Sequence, residues 1–235
     1  TYYYTIFTYD GVPNYSSGVT ANATPSSSGP TLVYSTDFSS DPGWITNDSS
    51  RFYWDSTQNA YYVNPINIDG GGVYAVKDVG VNMDSQSFRI EWDIKVVSVD
   101  YACGIQFGIF DTDLNAQEEG SYIWVLFTNE DRGYQVLLAS ANTSNTLNYD
   151  WTAGPEYSLN TWYHIILDYN NATGELSVDV TNRDNGTQLR SFLITSGPFA
   201  SDMDRVGTSN IRQGTYQVPG AQAQGYIDNV QLYIY

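Results

Sequence analysis

Alternation of apolar and polar side chains is the feature of this sequence that most limits its fold. In residues 88–96, Phe, Ile, Trp, Ile and Val alternate with Arg, Glu, Asp and Lys. Because successive side chains of a strand point to opposite faces, this pattern predicts a strand with one buried face and one wet face. Similar runs occupy residues 103–110, 122–127, 134–139, 162–169, 176–181, 189–194 and 226–235. Helical periodicity is almost absent, so the sequence predicts an all-β protein.

Turn sequences separate these runs. Asn-Asn-Ala-Thr-Gly occupies residues 170–174, Asn-Glu-Asp-Arg-Gly residues 129–133, and Arg-Asp-Asn-Gly residues 183–186. Asn, Asp and Gly favour the tight turns of hairpins, so we expect antiparallel pairing. A chain of 235 residues can form one large sandwich.

The N-terminal part of the chain differs from the rest. Residues 24–30, Thr-Pro-Ser-Ser-Ser-Gly-Pro, have the composition of a linker. Before it, residues 2–9 and 18–23 are two strand-like runs, which predict a hairpin within residues 1–23. The main domain is expected at residues 31–235. An isolated two-stranded hairpin is marginally stable in water, so we expect these strands to pair with something else.

Charge and composition narrow the possible partners and the location. The chain has 26 acidic and 9 basic residues, a net charge of −17, which repels nucleic acid. No apolar stretch is long enough to span a bilayer, so membrane insertion is not expected. The abundance of Tyr, Ser, Thr, Asn and Gly is typical of an extracellular β-protein. Triplets that could accept N-linked glycans begin at Asn14, Asn22, Asn47, Asn142, Asn171 and Asn185.

Four motifs in residues 31–235 resemble those of one large superfamily. They are Tyr-Ser-Thr-Asp-Phe-Ser-Ser-Asp-Pro-Gly-Trp at residues 34–44, the alternating run at 88–96, Asn-Thr-Trp-Tyr-His-Ile-Ile-Leu-Asp-Tyr at 160–169 and Gly-Tyr-Ile-Asp-Asn-Val-Gln-Leu-Tyr at 225–233. This part of the chain resembles the concanavalin A-like lectin/glucanase superfamily, especially its laminin-G-like surface modules. The resemblance implies an antiparallel jelly-roll β-sandwich. Because the superfamily includes lectins, glycosidases and structural modules, it does not fix the function.

Residues 1–25 resemble the last two strands of a fibronectin type III domain. The first five strands of such a domain are absent from the chain. The resemblance implies core positions in the two strands that would be free to pair elsewhere, and we expect these positions to serve in assembly. They are Tyr2, Tyr4, Ile6, Val19 and Ala21.

No catalytic site emerges from the sequence. Laminarinase-type members of the superfamily carry a Glu-x-Asp-x-x-Glu strand, and Glu91 and Asp93 begin that pattern. Val96 replaces the second Glu and removes the acid/base partner of two-carboxylate hydrolysis. We therefore expect Glu91 and Asp93 to be charges on a solvated strand face. His164 is the only histidine, which excludes a multi-histidine metal site, and we expect it to be a hydrogen-bonded strand residue.

Calcium is the one cofactor that the sequence suggests, and only as a structural ion. Asp111, Asp113 and Asn115 place oxygen ligands at alternate positions after a strand. The superfamily resemblance adds Asp37 and Asp228, near the first and last strands. In both places ordinary turn chemistry is the alternative explanation.

Sugar binding requires aromatic rings beside polar groups, because the apolar faces of sugars stack on rings. Aromatic residues in or beside loop-rich segments provide the candidates. The candidate residues are Tyr53, Trp54, Trp151 and Tyr157.

Three hypotheses follow for the function. The first is a non-enzymatic extracellular structural or adhesive protein, a fibre subunit whose N-terminal strands add to a neighbouring copy. The alternative is a carbohydrate-binding module of a larger secreted protein, with cell-surface glycans as partners. A glycoside hydrolase is the weakest hypothesis because Val96 occupies the position of the second Glu.

Overall fold

A computed structural model describes residues 2–6, 19–23, 29–67, 72–111, 121–141, 147–199, 203–209 and 218–235. The chain divides into two compact units, Thr1–Pro30 and Thr31–Tyr235. No described residue lies in a helix, so these ranges contain no apolar helix that could cross a membrane. The predicted linker falls mostly on residues 24–28, which lie outside the described ranges.

The first unit contains one antiparallel hairpin. Strand β1 (Tyr2–Ile6) pairs with β2 (Val19–Ala23), which places Tyr4 opposite Ala21. Among the described residues neither strand pairs with a third one. The pairing confirms the predicted hairpin. Since two-stranded hairpins occur in many folds, it does not by itself support the resemblance to fibronectin type III strands.

The second unit contains two antiparallel sheets. Its strands are β3 (Thr31–Thr36), β4 (Ile45–Thr46), β5 (Phe52–Asp55), β6 (Ala60–Val63), β7 (Tyr74–Asp78), β8 (Phe88–Val99), β9 (Cys103–Asp111), β10 (Tyr122–Glu130), β11 (Gly133–Ala141), β12 (Leu147–Asp150), β13 (Trp162–Asn170), β14 (Glu175–Asn182), β15 (Gln188–Thr195), β16 (Met203–Ser209) and β17 (Ala223–Ile234). The seven-stranded sheet has the order β12-β11-β10-β9-β16-β7-β4. The eight-stranded sheet has the order β15-β14-β13-β8-β17-β6-β5, and β3 also pairs with β17.

The alternating run that dominates the sequence is strand β8. Its apolar side chains, including Ile90, Trp92 and Ile94, are fully buried between the two sheets. The Trp92 ring lies 5.0 Å from the ring of Phe107 on β9, so the two sheets meet through aromatic contacts. Burial of each such side chain stabilises the fold by about 1.5–3 kcal/mol. The predicted all-β antiparallel sandwich is confirmed.

Strands β9, β10 and β11 differ from the prediction of one wet face. Trp124, Leu126 and Leu137 point away from the main core but are also buried, in a second apolar cluster on the outer side of the seven-stranded sheet. Trp124 is only 2% exposed, and its neighbours across the strands are Gly108 and Ala139. These three strands are therefore buried on both faces.

Arg190 joins the two sheets at their edge. It belongs to β15 of the eight-stranded sheet, and its guanidinium donates to the backbone oxygens of Val136 (3.0 Å) and Thr152 (2.6 Å) on the other side of the sandwich. The group is stacked 4.3 Å from the Phe192 ring and lies 3.4 Å from the Asp150 carboxylate. Arg190 is itself buried, so these partners replace water around its charge.

We expect the substitution Arg190→Met to lower the free energy of unfolding by about 3 kcal/mol, because it leaves buried acceptors without their donor. Urea denaturation followed by intrinsic fluorescence measures this change. The matched control is Arg132→Met, which removes an exposed side chain with one hydrogen bond of 3.3 Å to the Trp151 carbonyl and should cost less than about 1 kcal/mol. Equal losses in the two variants would contradict the role of Arg190 at the sheet edge.

Candidate functional site

Two exposed aromatic side chains form a pair at the edge of the seven-stranded sheet. The ring centroids of Tyr149 and Trp151 are 4.5 Å apart with an angle of 35° between the rings. Tyr149 is 52% exposed and Trp151 is 42% exposed. Tyr149 lies opposite Ala139, which lies opposite Trp124, so the ring of Tyr149 is on the outer face of this sheet. We refer to these two residues as the Tyr149–Trp151 pair.

Polar groups fix the backbone around the pair. Asp150 accepts hydrogen bonds from the Thr152 amide (2.9 Å) and hydroxyl (2.6 Å), and Gln135 accepts one from the Gly154 amide (2.9 Å). Arg132 donates to the Trp151 carbonyl. The segment after β12 is thereby tied to the turn between β10 and β11, and the two rings are held beside charged and amide side chains.

The alternation Asn-Tyr-Asp-Trp at residues 148–151 is the sequence signal that could have identified Tyr149. In a strand, residues two apart point to the same side, so an exposed Trp151 implies a companion at position 149. Trp151 is among the candidates predicted from the sequence, and Tyr149 is not.

The structure does not bring the four predicted aromatic candidates together. Trp151 directly follows β12 of the seven-stranded sheet, whereas Tyr53 and Trp54 lie on β5 of the eight-stranded sheet. Trp54 is half-buried and donates its ring N–H to the Phe38 carbonyl at 2.8 Å. Tyr157 is 2% exposed, and its ring centroid lies 5.1 Å from that of Phe127. The prediction that Tyr157 contacts a sugar at the surface is therefore wrong, because Tyr157 is a core residue.

A polar network occupies the outer face of the eight-stranded sheet around Asp93. One oxygen of Asp93 lies 2.8 Å from Nδ1 of His164. The other oxygen accepts hydrogen bonds from Asn229 (2.7 Å) and Arg183 (3.2 Å). Arg183 also lies 3.5 Å from Asp228. Asp93 is only 3% exposed, which corrects the prediction that it is a solvated charge; His164 is the hydrogen-bonded strand residue that was predicted.

The protonation of this network follows from its contacts. The hydrogen bond to Asp93 raises the pKa of His164 above its ordinary value, and burial opposes this only in part. Burial raises the pKa of Asp93, but the hydrogen bonds from His164, Asn229 and Arg183 outweigh burial, so the net pKa is lowered. The pKa of Asp228 is raised because the residue is partly buried and lies near the charge of Asp93.

Strand β8 offers no pair of free carboxylates for glycoside hydrolysis. Val96, at the position of the second Glu, is buried in the core on the opposite face of the strand from Glu91 and Asp93. Both oxygens of Asp93 are held by donors. Glu91 lies 3.6 Å from Arg89 and 3.7 Å from His164. The arrangement on this strand is that of a charge-paired sheet surface.

The predicted calcium ligands fall in two places. Among the described residues no three His, Cys, Asp or Glu side chains group as a metal site. Asp228 is paired with the cationic Arg183, and Asp37 accepts hydrogen bonds from Ser39; a calcium ion held by these two carboxylates stays a prediction. Asp111 is buried and accepts from the Ser121 amide at 2.6 Å. Its predicted companions Asp113 and Asn115 lie outside the described residues, so a calcium ion there stays a prediction.

The glycan acceptors differ in their surroundings. Asn47, Asn171 and Asn185 are exposed, and the first two use their amide N–H groups in hydrogen bonds to the backbone of Gly72 and Ser85. Asn185 lies in the turn before β15 and accepts from the Thr187 amide. Asn22 lies on β2, and Asn14 and Asn142 lie outside the described residues. The attachment of glycans stays a prediction.

Comparisons with known proteins identify the fold. No protein-family model and no curated protein matches the sequence. Among solved structures, the acidic lectin of winged bean complexed with methyl-α-D-galactose is 11% identical, with a TM-score of 0.60, covering 88% of this chain and 98% of the lectin. The seed lectin of Lotus tetragonolobus is 13% identical, with a TM-score of 0.56, covering 88% of this chain and 99% of the lectin.

A third solved structure is described with endo-acting O-glycanases that members of the human gut microbiota express to initiate mucin breakdown. It is 11% identical, with a TM-score of 0.59, and the match covers 86% of this chain and 98% of that protein. Such identities establish a shared fold and nothing more. The chain therefore has the concanavalin A-like jelly-roll fold of the legume lectins.

The raised pKa of His164 predicts a pH dependence of stability. A His whose folded pKa exceeds its unfolded value stabilises the fold fully below about pH 6.5 and loses this contribution as the pH rises through the folded pKa. We therefore expect the difference in unfolding free energy between wild type and His164→Gln to be larger at pH 5.5 than at pH 8.5. Asp93 has a lowered pKa and stays ionised at both values. Urea denaturation at the two pH values tests this, and a difference that grows with pH would contradict it.

Proposed function

We propose that this chain is a non-enzymatic, extracellular carbohydrate-binding protein and that the Tyr149–Trp151 pair is its glycan contact. The single observation that carries the proposal is the pair itself: two exposed rings in mutual contact on the outer face of a rigid sheet. When a ligand covers large apolar rings that are exposed to water, the free energy of the system falls. The fold shared with lectins supports this choice of ligand.

The surroundings of the pair suit a neutral sugar. The apolar face of a pyranose can cover a ring, while its hydroxyl groups exchange hydrogen bonds with Arg132, Asp150 and Thr152. Because these groups lie on strands or beside turns fixed by hydrogen bonds, little ordering accompanies binding. The net charge of −17 disfavours anionic glycans at moderate salt.

We expect Trp151→Ala to weaken binding to galactomannan about tenfold or more, since loss of one stacked ring costs roughly 1.4 kcal/mol or more. Native affinity electrophoresis through gels that contain galactomannan measures the dissociation constant from the retardation of the protein. A parallel set of gels that contain β-glucan or xylan gives the dissociation constants for these neutral polysaccharides, which can then be compared with that for galactomannan.

The matched control is Tyr235→Ala, which removes another exposed aromatic side chain at the end of the last strand, and which should bind like wild type. Thermal melting confirms that both variants are folded. Wild type that migrates equally in gels with and without each polysaccharide, or a Trp151→Ala variant that keeps full retardation, would overturn the proposal.

A second candidate function, a fibre subunit, is favoured by the N-terminal hairpin. Among the described residues β1 and β2 pair only with each other, so each strand has one edge without a backbone partner. A two-stranded sheet of this kind is marginally stable in water and is completed by strands of another chain. Addition of a neighbour's strand, repeated head to tail, builds an open filament.

The second unit, Thr31–Tyr235, has its own core and provides the comparison for this hypothesis. If the hairpin drives assembly, sedimentation velocity and negative-stain electron microscopy should show elongated assemblies of the full chain, with mass that rises with concentration. A variant that lacks residues 1–23 should stay monomeric. A full chain that stays monomeric at high concentration would contradict the fibre hypothesis and leave the glycan proposal unchanged.

A further inference from the structure

One row of side chains crosses five neighbouring strands on the outer face of the eight-stranded sheet. Tyr53 lies opposite Tyr62, which lies opposite Tyr226, then Lys95, then Trp162. Each strand from β5 to β13 in the sheet order contributes one member. We refer to these five residues as the aromatic row.

The members of the aromatic row contact one another in sequence. The ring centroids of Tyr53 and Tyr62 are 4.8 Å apart, and those of Tyr62 and Tyr226 are 5.6 Å apart. The ammonium group of Lys95 lies 4.9 Å from the centroids of both Tyr226 and Trp162. Tyr53 is exposed and the other four are half-buried, so the row presents tyrosine ring surface and hydroxyls to solvent, while the guanidinium of Arg183 stacks 4.4 Å from the Trp162 ring.

A polar row runs beside the aromatic row on the same face. Two residues further along their strands, Asp228, Asp93 and His164 lie opposite one another on β17, β8 and β13. Residues two apart on a strand are separated by roughly 6.8 Å. The aromatic row is therefore flanked along one line by the half-buried side chains of Asp228 and His164, whose polar atoms can exchange hydrogen bonds with sugar hydroxyls, while Asp93 between them is buried.

The dimensions of the aromatic row favour an extended chain. Neighbouring strands are about 4.8 Å apart, so five strands span about 19 Å. The separation of about 4.8 Å between neighbouring strands is close to the length of one pyranose unit in an extended polysaccharide. One sugar unit per strand can therefore lie along the row. The net charge of −17 disfavours uronic acid or sulfate groups, so the ligand class is a neutral, extended polysaccharide.

We propose that the aromatic row is a second polysaccharide-binding surface and that this domain cross-links polysaccharide chains. The proposal rests on the proposed function for its first contact, the Tyr149–Trp151 pair. That pair lies on the outer face of one sheet and the aromatic row on the outer face of the other. The sandwich separates the two surfaces, so they face opposite directions and engage different chains or distant parts of one chain.

Two contacts on opposite faces have a measurable consequence. When protein and a long polysaccharide are mixed, a bivalent domain joins chains into a network at intermediate ratios, and excess protein disperses the network again. A domain with one contact coats the chains without joining them. A row of rings that only stabilises the sheet would leave the domain with one contact.

The test uses the full chain with galactomannan, a neutral polysaccharide with an extended backbone. Turbidity and dynamic light scattering are followed as protein is titrated into a fixed amount of polysaccharide, while native affinity electrophoresis measures binding. Wild type should give turbidity that rises and then falls with protein concentration. Trp151→Ala and the double variant Tyr53→Ala/Tyr62→Ala should each retain weakened binding and lose at least about tenfold in peak turbidity.

Thermal melting verifies that the variants fold. If the double variant does not fold, Tyr53→Leu, which keeps apolar bulk without a ring, replaces it in the turbidity measurement. Undiminished turbidity in a folded row variant would overturn the proposal. Wild type that is retarded by galactomannan but never becomes turbid would overturn cross-linking alone. Wild type that is not retarded, or Trp151→Ala that binds fully, would instead count against the proposed function.

Discussion

The packing of alternate side chains between two sheets is the constraint on which the rest of the structure depends. Once Trp92 and its neighbours on β8 are buried against Phe107, every other residue of β8 must face outward. A shift of one residue would bury Lys95 and expose Trp92, at a cost of several kcal/mol. The registers of β13 and β17 against β8 are fixed by the same requirement, and so are the outward rows of side chains.

The sequence pattern predicts strands of both kinds, but it predicts which side chains are buried only where one face of the strand is wet. Strand β8 is recognised because charged and apolar residues alternate, and the predicted strand begins at the same residue, Phe88, as the observed one. In β10, Trp124 and Leu126 interrupt the alternation because the outer side of that strand is also apolar. Strand β4, with two residues, is too short to be distinguished from a loop, and the seven residues of β16 alternate too weakly.

In the candidate sites, contacts between residues close in sequence could be predicted, whereas contacts between residues far apart in sequence could not. Trp151 could be named from its loop-rich surroundings, and local alternation implies its companion Tyr149, whereas the sheet face on which Tyr149 lies depends on the register of β12 with β11. The environment of Asp93 could not be predicted, because its partners His164 and Asn229 are 71 and 136 residues away in sequence. A bulge in β17, where Asn229 adopts a φ of 50°, aims that amide at the carboxylate.

Rigidity is the property that the two proposed binding surfaces share. The Tyr149–Trp151 pair lies at the β12 edge of one sheet and the aromatic row runs from the edge strand β5 to β13 of the other, and the shared core holds the two sheets at a fixed spacing. Neither surface has to be ordered when it meets a ligand, so little conformational entropy is lost at either face. In the proposed cross-link, the distance between the two polysaccharide chains is set by the thickness of the sandwich.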